Sequence, residues 1–257
     1  MSTLPRMFTR KLAVPVALAA ALSGCAADGS FDTSAAMNVG AGVLQAATLS
    51  EESVKQTASL AAQQMDSENK VPPASNAYSK RLAKITQGMT NIDGLDLNFK
   101  VYMSEEINAF AMADGTVRVY SGLLDAMPDD QALAVIGHEV GHVKLKHSYQ
   151  QMQQKLLTDS AFAAAISVGG TVGTLTQSQL GQLGYAAVNA QFSQKDELEA
   201  DQYAVATLRK LGKDPYAMKR AIETLQAKYG SGGGFLSSHP SNDKRVEKIQ
   251  AAIDGKK

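Results

Sequence analysis

The run His138-Glu139-Val140-Gly141-His142 constrains this chain more than any other segment. It lies in a helical pattern whose apolar positions are Leu133, Val135, Ile136, Val140 and Val143. Residues four apart on an α-helix differ by about 40° and about 6 Å, so both imidazoles leave one face. Two nitrogens so placed reach a single zinc ion at about 2.0–2.1 Å. Glu139 is rotated by about 100° from His138, which suits contact with a water on that ion rather than ligation. The spacing therefore fits metal-assisted hydrolysis, with Glu139 as general base that takes the water's proton and passes it on. Gly141 is out of place in a helix interior, where it costs about 1 kcal/mol relative to Ala. Close approach of another backbone or side chain would account for it.

A catalytic zinc takes three protein ligands and keeps one position open. The third is expected 55 residues after His142, in Asp196-Glu197-Leu198-Glu199-Ala200-Asp201. Glu197 and Asp201 are one helical turn apart on the same face. Glu197 is assigned as the ligand, and Asp201 as the acceptor that orients a ligand histidine through its other ring nitrogen. Glu199 faces away and reads as solvated, and His147, beside Lys144 and Lys146, reads as structural or solvated.

The rest of the pattern is α+β and mostly α-helical. Helices are expected from Leu49 to the Val71-Pro72-Pro73 stop, over 75–89, through the Ala-, Gly- and Gln-rich stretch 149–190, and over 194–210 and 215–228. A last helix follows Ser241-Asn242-Asp243, and Ser231 to Gly234 reads as a flexible loop. Alternation over 95–101 and 116–120, with a strand expected over 107–113 and a hairpin signal at Asp114-Gly115, predicts a small antiparallel β-sheet beside the motif helix. Asp129 and Asp130 are N-cap candidates for that helix. The apolar run 161–175 is Gly-broken and too short to span a bilayer.

The N-terminus has Arg6, Arg10 and Lys11, an apolar run from Leu12 to Leu22, then Ser23-Gly24-Cys25. That is the layout of a signal peptide. Leu22-Ser23-Gly24-Cys25 resembles a bacterial lipobox, which implies cleavage before Cys25 and lipidation of that residue. Ala26 resembles the outer-membrane sorting pattern. The expected domains are a lipoprotein signal peptide over 1–24, a lipidated tether over 25–48 and one catalytic domain over 49–257. Cys25 is the only cysteine, so no intrachain disulfide is available. Lys+Arg and Asp+Glu are 25 each, which argues against nucleic-acid binding.

His138-Glu-Val-Gly-His142 followed by Glu197-Leu-Glu-Ala-Asp201 resembles the M48 family of zinc metallopeptidases. The similarity extends through Asn108-Ala109-Phe110, Gly115 to Leu124, and His239-Pro240 to Arg245. It implies a zincin-like fold, one zinc per chain and Glu197 as third ligand. It also places His239 near the zinc, either as a donor to the reaction oxyanion or as a ligand in a closed resting state. A capping role before the last helix is the alternative. Arg245 is read as a partner of a site carboxylate or as a surface charge, and the strand around Asn108-Ala109-Phe110 as a cleft edge or as core. With the lipobox, the resemblance implies a periplasmic endopeptidase acting on unfolded or misassembled envelope proteins. The competing reading is a zinc-bound, normally plugged chaperone or assembly factor.

Overall fold

The computed structural model describes residues 50–159, 162, 175–230, 233–240 and 243–255. Cys25, the signal and tether segments 1–24 and 25–48, most of 161–175, Ser231 and the Ser241-Asn242 pair lie outside these residues. Nine helices occur among them: α1 (Glu51–Glu68), α2 (Ala77–Ile85), α3 (Ser121–Ala126), α4 (Asp129–Lys144), α5 (His147–Thr158), α6 (Gln177–Val188), α7 (Gln194–Lys210), α8 (Tyr216–Tyr229) and α9 (Asp243–Ile253). Three strands, β1 (Asn98–Tyr102), β2 (Ala109–Ala111) and β3 (Thr116–Tyr120), precede the motif helix α4. The fold is α+β and mostly helical, as its periodicity predicts. No described helix is long and apolar enough to cross a membrane.

The sheet is mixed rather than antiparallel. Its order is β1-β3-β2, with β1 parallel to β3 and β2 antiparallel to β3. The hairpin at Asp114-Gly115 fixes only the β2–β3 pair. Gly115 takes a left-handed φ of 91°, and a Cβ there would lie 2.1 Å from the Asp96 carbonyl oxygen. The segment after β1 crosses over, so β3 enters between the other two strands and runs with β1. Every residue of β3 is buried, the polar Arg118 included. Arg118 donates to Asp66 at 2.8 and 2.9 Å and to the Asn98 carbonyl at 2.9 Å, which satisfies a charge that alternation alone would place in solvent.

The sheet divides two apolar clusters, as the period of two requires. Val101, Ala111, Val117 and Val119 join α2, α4, α7, α8 and α9. Tyr102, Phe110 and Tyr120 point the other way and pack with α1, α5 and α6, their ring centroids 5.8–6.4 Å apart. Sequence and structure agree on α7 to the residue. Its N-cap Ser193 accepts from the Asp196 N–H at 3.2 Å, and the Ser193 N–H donates to Asp196 Oδ2 at 3.1 Å. The expectation for α4 is corrected. Pro128 is its N-cap, and Asp129 and Asp130 occupy the first turn, where negative charge is favourable. There they pair with Arg81 and Arg220 at 2.8 and 2.7 Å.

Helix α4 is buried from Ala132 to Val143 and has its most extensive contact with α7. Gly137 and Gly141 face Ala204 and Ala200. A Cβ on Gly141 would lie 3.0 Å from Ala200 Cα and 3.1 Å from its carbonyl oxygen. This is the close approach that the glycine demands. In an ordinary helix Gly→Ala would stabilise by about 1 kcal/mol. Here overpacking sets the sign, and Gly141→Ala is expected to destabilise the protein by about 1–2 kcal/mol in urea unfolding. An equally or more stable variant would show that the two helices tolerate separation.

Candidate metal centre

Helix α4 carries His138 and His142 on the face that meets α7, and α7 carries Glu197 opposite them. All three side chains are buried. His138 Nε2 and His142 Nε2 are 3.1 Å apart, and Glu197 oxygens lie 3.5 and 3.4 Å from them. Ligands at about 2.1 Å from a tetrahedral ion stand about 3.4 Å from one another. A fourth donor joins them. His239 Nδ1 is 3.0 Å from Glu197 Oε1 and 3.3 Å from His138 Nε2. One ligand atom from each of these four residues lies within 4.8 Å of the others. His239 is held by ring stacking on Phe235 at 4.4 Å, in the short 3-10 turn Gly234–Ser237.

The outer groups fix the imidazoles. His138 Nδ1 is 2.9 Å from Asp201 Oδ1. Asp201 accepts in turn from Arg245 Nε and Nη2, both at 2.8 Å. Donation from His138 Nδ1 leaves the Nε2 lone pair facing Glu197. Arg245 Nη1 also lies 2.8 Å from Glu197 Oε2, so one buried guanidinium serves two carboxylates. Arg245 is therefore a buried partner of site carboxylates, not a surface charge. Burial alone would raise the pKa of Asp201, but the Arg245 charge prevails and holds it below the usual carboxylate range. Glu197 is likewise lowered against burial, by His239 and His138. His142 is lowered well below the ordinary imidazole value, chiefly by burial.

Glu139 lies between the centre and the sheet. The Ala111 backbone N–H of β2 favours its charged form. Its Oε1 is buried with no hydrogen-bond partner among the described residues, and His239 Nε2 is 3.4 Å away. Burial raises the Glu139 pKa, against the pull of His239 and His138. Burial disfavours the His239 cation, yet Glu139 and Glu197 outweigh it and raise that pKa. The sequence-derived residues thus converge: His138, Glu139, His142, Glu197, Asp201, His239 and Arg245 share one buried cluster.

One neighbour, Phe192, escaped the sequence reading, and His147 takes the structural of its two expected roles. Phe192 stacks on His142 at 3.8 Å and 21°. His147 is 5% exposed rather than solvated, with Nδ1 3.1 Å from His142 Nδ1. Its Nε2 faces Glu199 at 3.4 Å and Asp196 at 3.6 Å, so Glu199 is only partly solvated. The available signal was the grouping of three of the four histidines within ten residues. No spacing rule assigns the third, because the backbone turns at Lys146, which takes a left-handed φ of 64°.

A helix bearing His-Glu-x-x-His, with a carboxylate from a second helix at ligand distance, defines a zincin-type metallopeptidase class. The model of peptidase family M48 matches residues 73–253. The chain belongs to this family and is a zinc metalloendopeptidase. It is 43% identical over 246 residues to metalloprotease LoiP of Escherichia coli, covering 95% of this chain and 96% of that one. It is 39% identical over 250 residues to metalloprotease YcaL of the same organism, covering 96% and 98%. A third relative, the E. coli beta-barrel assembly-enhancing protease, is 30% identical over 164 residues, which is 58% of this chain and 33% of the relative.

The Arg245 contacts predict a large response to its removal. Arg245→Met would leave Asp201 and Glu197 buried without their cation. The metal-free variant is expected to lose about 3–5 kcal/mol in urea unfolding. A loss below about 1 kcal/mol would mean that other groups neutralise the pair.

Proposed function

We propose that the chain binds one zinc ion through His138, His142 and Glu197 and hydrolyses peptide bonds of extended protein chains, with Glu139 as general base. The observation that carries this reading is the Glu139 carboxylate. It is buried beside three atoms at ligand spacing and has one oxygen free of hydrogen bonds. The donor set also fits: two imidazoles and a carboxylate are zinc ligands, and buried Glu139, Glu197 and Asp201 outnumber buried Arg245. Bound there, zinc would acidify a water and polarise the scissile carbonyl.

The remaining chemistry belongs to side chains of this chain. Glu139 accepts the proton of the attacking water at Oε1, and its burial-raised pKa suits it to return that proton to the leaving amine. His239 is within reach to donate to the oxyanion. Its distances to Glu197 and His138 also fit a closed resting state in which Nδ1 takes the fourth position. Strand β2 is an edge of the sheet, and its Ala111 N–H lies at Glu139. An extended substrate pairing along β2 would pass beside the general base.

The domain limits 1–24, 25–48 and 49–257 complete the proposal, with the protein lipid-anchored through Cys25 at the periplasmic face of the envelope, in the outer membrane. The lipobox-like Leu22-Ser23-Gly24-Cys25 and the similarity to the beta-barrel assembly-enhancing protease support an envelope role. Its substrates would be unfolded or misassembled envelope proteins, because an extended chain can enter an edge-strand cleft and a folded one cannot. The buried His239 favours one second reading, a plugged chaperone or assembly factor with little proteolysis.

Zinc content and casein cleavage of the chain from Ala26 test the proposal. Wild type is expected to hold about one zinc and to cleave. Glu139→Gln should keep the metal and lose about 100- to 10,000-fold in rate. Glu197→Ala should lose the metal. Wild type that holds zinc but cleaves only as His239→Ala would establish the plugged reading. Glu139→Gln that still cleaves would remove Glu139 from its role.

A further inference from the structure

The cluster His147, Asp196 and Glu199 is distinct from the four-residue centre, yet it touches that centre through His142. Two roles compete for it. Its ligand atoms lie within 4.8 Å of one another, close enough to hold a second cation. Alternatively it is a proton-fixed support for His142. Counting protons separates the two.

A metal on His142 Nε2 leaves that neutral ring with its one proton on Nδ1. The Nδ1–H points at His147 Nδ1, 3.1 Å away. His147 Nδ1 must then be the acceptor and carry no proton. Its own proton therefore sits on Nε2, facing Glu199 Oε2 at 3.4 Å and Asp196 Oδ1 at 3.6 Å. A protonated Nε2 has no lone pair for a cation. A second metal on His147 would require that proton to leave a ring that has only one, or the hydrogen bond to His142 to break. Resting on the ligand assignment of His142, we infer that His147 is a positioning residue that accepts from His142 Nδ1–H and thereby aims His142 Nε2 at the metal.

The surroundings suit this task. His147 opens α5 and is buried, so packing limits the motion of its ring. Asp196 is itself tied by the reciprocal cap with Ser193, which fixes the carboxylate that His147 faces. Glu199 is shared with the exposed Lys195 at 3.5 Å. Phe192 covers the flat face of His142 and leaves rotation in the ring plane to be fixed by the Nδ1 hydrogen bond. His138 has the equivalent support from Asp201, so each histidine of the motif has its own acceptor.

The test is zinc affinity of the purified full-length protein in detergent, by competition with a chromophoric chelator. His147→Leu removes the acceptor at similar volume. His147→Asn places an amide oxygen near the position of Nδ1. Loss of such an acceptor costs about 10- to 100-fold in metal affinity. That loss is expected in His147→Leu, with His147→Asn returning to within a few-fold of wild type, while metal-free wild type and His147→Leu unfold at the same urea midpoint. Wild-type affinity in His147→Leu would overturn the inference. So would equal weakening in both variants together with lowered metal-free stability, which assigns His147 to packing alone. A second zinc equivalent bound by wild type and lost in Glu199→Gln would overturn it in favour of a second cation site. His142→Ala is the control: retention of wild-type affinity there would sink the ligand assignment itself, a failure distinct from that of His147.

Discussion

Helices α4 and α7 can share one centre because Gly137 and Gly141 carry no side chain. Each imidazole must reach an atom about 3.4 Å from the opposing carboxylate, so the two axes cannot drift apart. At Gly141 even a methyl group would press on Ala200 Cα at 3.0 Å. The helix gives up about 1 kcal/mol of intrinsic propensity at that position and gains a fixed spacing. Ala200 and Ala204, small residues on the facing helix, complete the contact. The sheet then supports α4 from the side, through Ala111 and the apolar residues of β3.

That spacing places like charges together in a dry environment. Glu139, Glu197 and Asp201 are all buried, with Arg245 as the buried guanidinium among them. Uncompensated, such a group would be strongly destabilising. The cluster manages this by sharing: Arg245 contacts both Asp201 and Glu197, and His239 lies between Glu197 and Glu139. Glu139 departs from the pattern. Burial raises its pKa, whereas the neighbouring Glu197 and Asp201 are lowered. Neighbouring carboxylates pushed in opposite directions are a mark of divided chemical roles.

Much of this centre was legible in the sequence because its members obey local rules. His138 and His142, and Glu197 and Asp201, are pairs at a separation of four, which the helix converts into a common face. The C-terminal bound of α7 followed from the Leu211-Gly212 stop, while its N-cap Ser193 emerged only in the structure. His239 and Arg245 were reached by resemblance, and only the folded chain shows how closely they sit. What stayed hidden depends on long-range geometry. Alternation and the hairpin signal located three strands but could not give their order, so the parallel pairing of β1 with β3 was invisible. Arg118 obeyed the polar phase of β3 and is nonetheless buried, because its partner Asp66 comes from a helix 52 residues earlier. Asp129 and Asp130 carried the right chemistry one and two positions too late for a cap, since Pro128 already supplied the extended conformation.

His147 shows the same limit most clearly. Five residues after His142, it would face elsewhere on a continuous helix. The left-handed Lys146 ends α4 and starts α5, which folds the ring back onto His142. The first two turns of α7 then meet the motif helix at several points. Glu197 lies opposite both imidazoles, Asp201 accepts from His138 one turn later, and Asp196 and Glu199 face His147. A carboxylate for the centre, the acceptor of His138 and the carboxylates that face His147 thus come from six consecutive residues. Any shift of α7 along α4 would disturb them together. The geometry of the whole site therefore depends on the glycine–alanine contact between these helices more than on the chain that surrounds them.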